Sequence, residues 1–341
     1  MTTADGPEQG RALPTPAVVV AGDALVDLTP ATTTTGHPAY EPHPGGSCLN
    51  VAVGLARLGV PTAFLARVSN DAFGALIRAH LAASGVLATY LLATSDLTTL
   101  AAVHVQDGIV SYSFHAAEAA DRGLRPEHLL ELPDRGRLPD GAALHVGSIA
   151  LVQEPQASTL DGLLRRESRR RVVSLDPNVR SSLVPDRDAY LARMAEWVVL
   201  ADVVKASDED LAWLYPGEVP EVAARRWLDA GAALVLVTSG PRGAWAATQG
   251  AEVRVPAPVV EVVDTVGAGD AFTSGILAHL HGIGRLTRQG VEQLDAAELQ
   301  RLLCFAVGVA ADTCTRAGAE PPYRRPPGGS RDPAPETTHA S

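Results

Sequence analysis

The chain has 341 residues, 46% of them apolar, and a formal net charge of -11 at pH 7; this suits one large core, or one core with a small appendage. Such a charge offers a polyanion no attraction, and no long run of like charges forms a basic arm, so nucleic acid is not expected as a partner. Among 28 basic residues the only lysine is Lys205, in VVKASDED; it fits neither a Walker loop nor the lysine strand of a protein kinase, which sets both classes aside and leaves the arginine bias to the source genome.

Cys48, Cys304 and Cys314 show no CxxC spacing and make an odd total, so neither a zinc site nor a disulfide framework is indicated. The N-terminus lacks the basic and apolar regions of a signal peptide, and no apolar stretch approaches the ~18 residues of a membrane span. A cytoplasmic protein without membrane contact is expected. Residues 1–16 and 324–341, rich in Pro, Gly and small polar residues, read as disordered tails around one domain at 17–323.

From Ala17 short β-branched runs alternate with helical patterns: VVVAG, LNVAVGLARLG, TAFLARV, then FGALIRAHLAASG closing on Gly85. That alternation is the signature of βαβ units on a parallel sheet. The rhythm breaks at 97–115, where LTTLAAVHVQDGIVSYSFH places two β-rich runs around Asp107 and Gly108, a hairpin signal. Residues 24–44, threonine-rich and interrupted by prolines, add edge strands beside it. Together these two stretches predict a small β lid over a cleft, a device that can keep water from a bound ligand. Buried-strand patterns return in AALHVGSIAL, RRVVSLDP, ADVVKAS and AALVLVTSG. The fold class is therefore α/β, a sheet covered by helices, with no solenoid or propeller repeat.

The run APVVEVVDTVGAGDAFTSGILAHLHG predicts a strand, a glycine turn and a helix beginning near Asp270. A helix opening onto glycines presents unpaired N–H groups and partial positive charge to an anion. Gly267, Ala268 and Gly269 let a phosphate approach the main chain, and Asp270 beside it can take a proton from an attacking hydroxyl. Alone, GAG reads first as a plain helix start with Asp270 as its N-cap. The segment lacks the third glycine of a dinucleotide fingerprint, which counts against a dehydrogenase.

The full string DTVGAGDAFTSG resembles the C-terminal signature of the ribokinase/fructokinase superfamily, the PfkB-type carbohydrate kinases, and further motifs follow in family order over about 18–322. The resemblance implies a ribokinase-like three-layer α/β/α sandwich with a β lid, and transfer of the γ-phosphoryl group of MgATP to a small sugar. GDALVDL resembles the first-strand motif and puts a sugar-gripping carboxylate on Asp27. PGGSCLNVAVGLARLG is similar to the N-terminal signature, giving Gly45, Gly46 and Asn50 to the sugar, with Ser47 as an alternative helix cap. RVSNDAFG implies structural roles for Asp71 and Gly74. LDPNVR places Asp176, Asn178 and Arg180 near phosphate, metal and sugar, at the sheet edge where ligands bind in open α/β folds.

VVKASDEDL departs from the NxxE motif of many members by putting Ser207 and Asp210 there, which keeps oxygen atoms for Mg²⁺ held through water and phosphates. VLVTSGPRGAWA resembles the nucleotide turn, so Thr238, Gly240 and Gly243 are expected to line ATP. DTCTRAGAEPP resembles the loop that closes over nucleotide and, with Asp264, helps hold a monovalent cation, potassium being the one considered. Lid strands of the family often pair between subunits, which makes a homodimer an implied partner.

The lid strand ending SYSFHAAEAAD carries no arginine before Asp121 to meet a substrate carboxylate, unlike relatives acting on 2-keto-3-deoxygluconate. A neutral ketose, fructose first, is expected; 2-keto-3-deoxygluconate kinase, ribokinase and a silent sugar or nucleotide sensor are the alternatives.

Overall fold

The computed structural model describes residues 15–106 and 109–324. In chain order its strands are β1 (Val18–Ala21), β2 (Leu25–Thr32), β3 (Pro38–Gly45), β4 (Thr62–Ser69), β5 (Leu91–Thr94), β6 (Thr99–Gln106), β7 (Ile109–His115), β8 (Ala143–Gly147), β9 (Val173–Asp176), β10 (Val203–Ser207), β11 (Leu234–Thr238), β12 (Ala244–Ala247) and β13 (Glu252–Val255). The helices are α1 (Ser47–Arg57), α2 (Ala72–Ala83), α3 (Pro126–Leu129), α4 (Gln156–Glu167), α5 (Arg187–Leu200), α6 (Asp208–Leu214), α7 (Pro220–Asp229), α8 (Ala268–Gly282), α9 (Arg288–Glu292) and α10 (Ala296–Thr313).

Among the described residues one sheet has nine strands in the order β13-β12-β11-β10-β9-β8-β1-β4-β5. Pairing from β11 to β5 is parallel, and β12 and β13 close the other edge antiparallel. Every residue of β1 is buried, as a parallel strand covered on both faces must be. Leu49, Ile77, Phe272 and Leu302 bring α1, α2, α8 and α10 onto one face. Leu160, Trp197, Leu211 and Trp227 bring α4, α5, α6 and α7 onto the other. The expected α/β/α layering is present, and the C-terminal ends of β1, β8, β9 and β10 open along one edge.

Over that edge lies a second sheet in the order β3-β2-β6-β7. The antiparallel pair β6 and β7 is the expected hairpin, and its turn residues Asp107 and Gly108 lie outside the described residues. The expectation of edge strands at 24–44 needs correction, because only β3 is an edge. β2 pairs antiparallel with β3 along its whole length and parallel with β6 over residues 25–28. Pro30 lies beyond the doubly paired stretch, where its missing N–H costs the sheet nothing.

The strand expected in APVVEVVD does not form. The chain leaves the sheet after Val255 and runs unpaired to α8, with Val259 fully exposed and Val262 and Val263 more than half so. β13 is already the sheet's edge, so these valines have no strand to join, and β propensity without a partner makes none. The packed region also extends one residue past each expected boundary: Pro16 is buried, and the Arg324 amide donates to the Arg57 carbonyl at 2.8 Å. Among the described residues no helix is long and apolar enough to cross a membrane.

Candidate active site

The site is built where the N-terminus of α1 meets the N-terminus of α8. Asp23, fully buried in the turn after β1, accepts from the amides of Ser47 (2.7 Å) and Cys48 (3.3 Å). Asp23 therefore caps α1, and the expectation of a Ser47 cap is corrected: the Ser47 hydroxyl turns to Asp270 Oδ1 instead, at 2.7 Å. Asn50, one turn on and on the same face, donates through Nδ2 to Asp270 Oδ2 at 2.9 Å.

α8 starts at Ala268, two residues before the sequence pattern predicts, with Gly267 as its N-cap at φ 74°. Asp270 is thus the third helical residue, and the N-cap alternative is excluded. A Cβ on Gly267 would stand 2.5 Å from the Ala319 Cβ, so both the left-handed backbone and the contact demand glycine. The Ala268 amide donates to the Thr265 carbonyl at 3.2 Å, so it belongs to the turn itself and is not part of a free amide cradle as expected. Burial drives the Asp270 pKa up to about 6, against the hydrogen bonds from Ser47 and Asn50 that favour its anion; Asp176 adds to the rise and Lys205 opposes it.

A small polar cleft of about 100 Å³ lies above this pair of helix ends. Of the expected residues it brings together Asp27, Gly46, Asn50, Arg180, Gly267 and Asp270, and adds Asp23, Phe114 from the lid and Ser148. The two glycines make room for carboxylates: a Cβ on Gly45 would meet Asp27 Oδ2 at 2.1 Å, and one on Gly46 would meet Asp23 Oδ2 at 2.9 Å. Burial raises the Asp27 pKa to about 6, with Asp23 adding to the rise and Arg180 countering it.

Asn178, held at φ 37°, donates to the Ser47 hydroxyl at 3.0 Å, and Arg180 donates to Asn178 Oδ1 at 2.6 Å. LDPNVR is thereby tied to the same cluster. Asp176 points beneath it, buried, to Lys205 Nζ (3.0 Å) and the Thr273 hydroxyl (3.2 Å).

The remaining expected residues line a neighbouring stretch of the sheet edge. Ser207 caps α6 and its hydroxyl shares a reciprocal pair of bonds with Asp210, whose Oδ1 takes the Val179 amide at 2.7 Å. Thr238 ends β11 and Gly240 follows at φ 52°. Gly243, at φ 92°, has no room for a Cβ, which would stand 2.0 Å from the Val255 carbonyl. Asp264 accepts from the Val266 amide (3.0 Å) and the Gly318 amide (2.8 Å), joining the two loops expected around a cation. Asp71 and Gly74 are structural as expected: Asp71 caps α2 through the Gly74 amide.

Comparison with known proteins decides the family: residues 15–325 match the model of the pfkB family carbohydrate kinases. The chain belongs to that family. It is 39% identical over 283 residues to a fructokinase from Rhizobium leguminosarum bv. trifolii, covering 83% of this chain and 85% of that one. The structure of a Xylella fastidiosa fructokinase with bound ATP superposes with a TM-score of 0.80 at 30% identity, over 89% of this chain and 93% of that one. A Vibrio cholerae O395 fructokinase double mutant, solved with fructose, ADP and a potassium ion, superposes with a TM-score of 0.76 at 31% identity, over 91% and 95%.

For a pfkB carbohydrate kinase, sequence reading passes over Asp23, gives Ser47 only a helix cap and gives Lys205 no place in the cluster. Asp23 and Ser47 have a local signal, a carboxylate after a strand and a hydroxyl after paired glycines, but their partners lie far along the chain. Lys205 fits neither familiar kinase-lysine pattern in the sequence, although a single lysine on a strand of otherwise apolar pattern is itself a signal.

Proposed function

We propose that this carbohydrate kinase is an ATP-dependent fructokinase. The observation that carries the acceptor is the pair of carboxylates, Asp23 and Asp27, facing the cleft that Asp270 closes, with Arg180 the one cation lining it among the described residues. Carboxylates accept hydrogen bonds from hydroxyls and repel an anionic acceptor, which favours a neutral sugar over 2-keto-3-deoxygluconate. The fructokinase neighbours, two of them solved with ATP or with fructose and ADP, support the same reading.

In this mechanism Asp27 and Asn50 orient the sugar, and Asp270 takes the proton of the attacking hydroxyl as the oxygen bonds to the γ-phosphorus of ATP and ADP leaves. A base with a pKa of about 6 is mostly ionised at neutral pH and still basic enough to accept that proton. The N-terminal turn of α8 offers its partial positive charge to the transferring group. Thr238, Gly240 and Gly243 follow the next strand end, where the adenosine part of ATP would run. Among the described residues no three His, Cys, Asp or Glu side chains gather as a metal cage. That donor set fits Mg²⁺ carried on phosphate oxygens and water, where it would neutralise phosphate charge. Asp264, joining the two loops through the Val266 and Gly318 amides, is the candidate for the potassium site.

A coupled ADP assay with MgATP across fructose, ribose, 2-keto-3-deoxygluconate, adenosine and fructose phosphates tests the reading. Fructose should give the highest kcat/KM; activity confined to an acid or a phosphorylated sugar would replace the substrate, and none with any sugar would leave the sensor. Asp270→Asn should lose most turnover while still binding fructose.

A further inference from the structure

Lys205 is the chain's single lysine, and the mechanism above does not use it. It stands on β10, whose register aligns with β9, and its side chain is 6% exposed with Nζ 3.0 Å from Asp176 Oδ2. Asp176 in turn accepts from Thr273, one turn along α8 from Asp270. A Cβ on Gly269 would come within 3.1 Å of Nζ. The ammonium therefore lies directly beneath the first turn of α8.

Stability alone is a poor reason for a lysine there. A helix N-terminus carries partial positive charge that repels a cation. A buried ion pair is often no better than an apolar pair of the same volume. What holds the ammonium is the site's negative charge: burial works against it, but Asp176, Asp210 and Asp270 together outweigh burial and lift its pKa above the ordinary lysine value. Asp270 itself faces Ser47, Asn50 and the Cys48 thiol from α1, Asp176 from β9 and Lys205 from β10, with Asp23, Asp27 and Arg180 around the same cleft. Lys205 is a cation that opposes the rise in the Asp270 pKa.

We propose that Lys205 is a positioning residue for phosphoryl transfer: clamped to Asp176, its ammonium supports the α8 turn at Gly269 and keeps Asp270 in the anionic form that accepts the sugar proton. The inference rests on the kinase reading above. In this account a Cβ at Gly269 would press on the ammonium and displace it by a few tenths of an ångström. Asp176 is the tether that offsets the cost of burying it.

The test compares Lys205→Met, Lys205→Arg and the double variant Lys205→Met/Asp176→Asn with the wild type, using the coupled ADP assay over pH 5–9 and thermal unfolding. Lys205→Met should lower kcat about a hundredfold, leave the fructose KM within about twofold, and move the acid limb of kcat to higher pH, since Asp270 loses its cation. Lys205→Arg, which keeps the charge, should hold the wild-type limb and recover part of the turnover. Should Lys205→Met fail to fold around an unpaired Asp176, the double variant, which removes both charges, carries the test and should still turn over slowly.

Wild-type kcat and limb in Lys205→Met, or wild-type kcat in the double variant, whatever their melting temperatures, would overturn the proposal, as would an unmoved limb in Lys205→Met with Lys205→Arg equally impaired. A wild-type chain that makes no ADP with any sugar would remove the fructokinase reading first and this one with it.

Discussion

Asp270 is pulled in two directions, and both can be measured. Catalysis needs its anion, so kcat should fall as pH drops through about 6, the value to which burial raises its pKa. Folding prefers its proton. A carboxyl whose folded pKa lies above the unfolded value contributes stability that is full below the ordinary carboxylate range and is lost as pH rises through about 6. The Asp270→Asn variant escapes that loss because it never ionises. It should therefore be more stable than the wild type at pH 8, by about 3 kcal/mol, with the difference fading by pH 4. Urea unfolding at the two pH values measures it; an equal difference at both would mean that packing, and not ionisation, separates the two proteins.

At the level of elements, α8 contains its own control experiment. Gly267 and Gly282 stand at its two ends. Gly267 is left-handed and pressed against Ala319, whereas a Cβ on Gly282 meets nothing within 4 Å. Gly267→Ala should cost about 2–3 kcal/mol, from the left-handed backbone and the clash together, and should lower turnover by tilting the helix that carries Asp270. Gly282→Ala should gain about 0.5 kcal/mol with turnover unchanged. The same helix shows what a sequence can reveal. Its glycines and its apolar pattern announced a helix with an anion-facing start, because those signals are local. The extended run before it was misread as a strand, since valines at 259, 260, 262 and 263 carry β propensity but not the information that the sheet has already ended. Its start was placed two residues late because the turn that opens it depends on Ala319, some fifty positions on.

Across the whole molecule the legible part was the alternation of strands and helices and the pairing of β6 with β7, for which the DG dipeptide is a local sequence signal. The illegible part was every contact that joins distant motifs: Asp23 to α1, Ser47 to Asp270, Lys205 to Asp176. Arg57 makes the longest of these joins. At the far end of α1 from Ser47, its buried guanidinium binds Glu320, donates to the Pro321 carbonyl at 3.1 Å and to the Ser84 hydroxyl at 3.2 Å, and stacks 4.9 Å from the Tyr323 ring centre. The segment it holds also brings Ala319 against Gly267 and Gly318 onto Asp264. One helix thus places Asn50 at the cleft with its first turn and, with its last, clamps the loop that packs against Gly267. Arg57→Ala should therefore lower the unfolding free energy by about 3 kcal/mol, since several charge-assisted bonds go at once. At temperatures where the variant stays folded, it should also raise the KM for ATP several-fold while leaving that for fructose near the wild-type value, because Asn50 lies two turns away. Steady-state kinetics with each substrate varied in turn reads the split. Equal rises in both constants would mean that α1 moves as a rigid whole, and that the C-terminal loop has no separate hold on the nucleotide side.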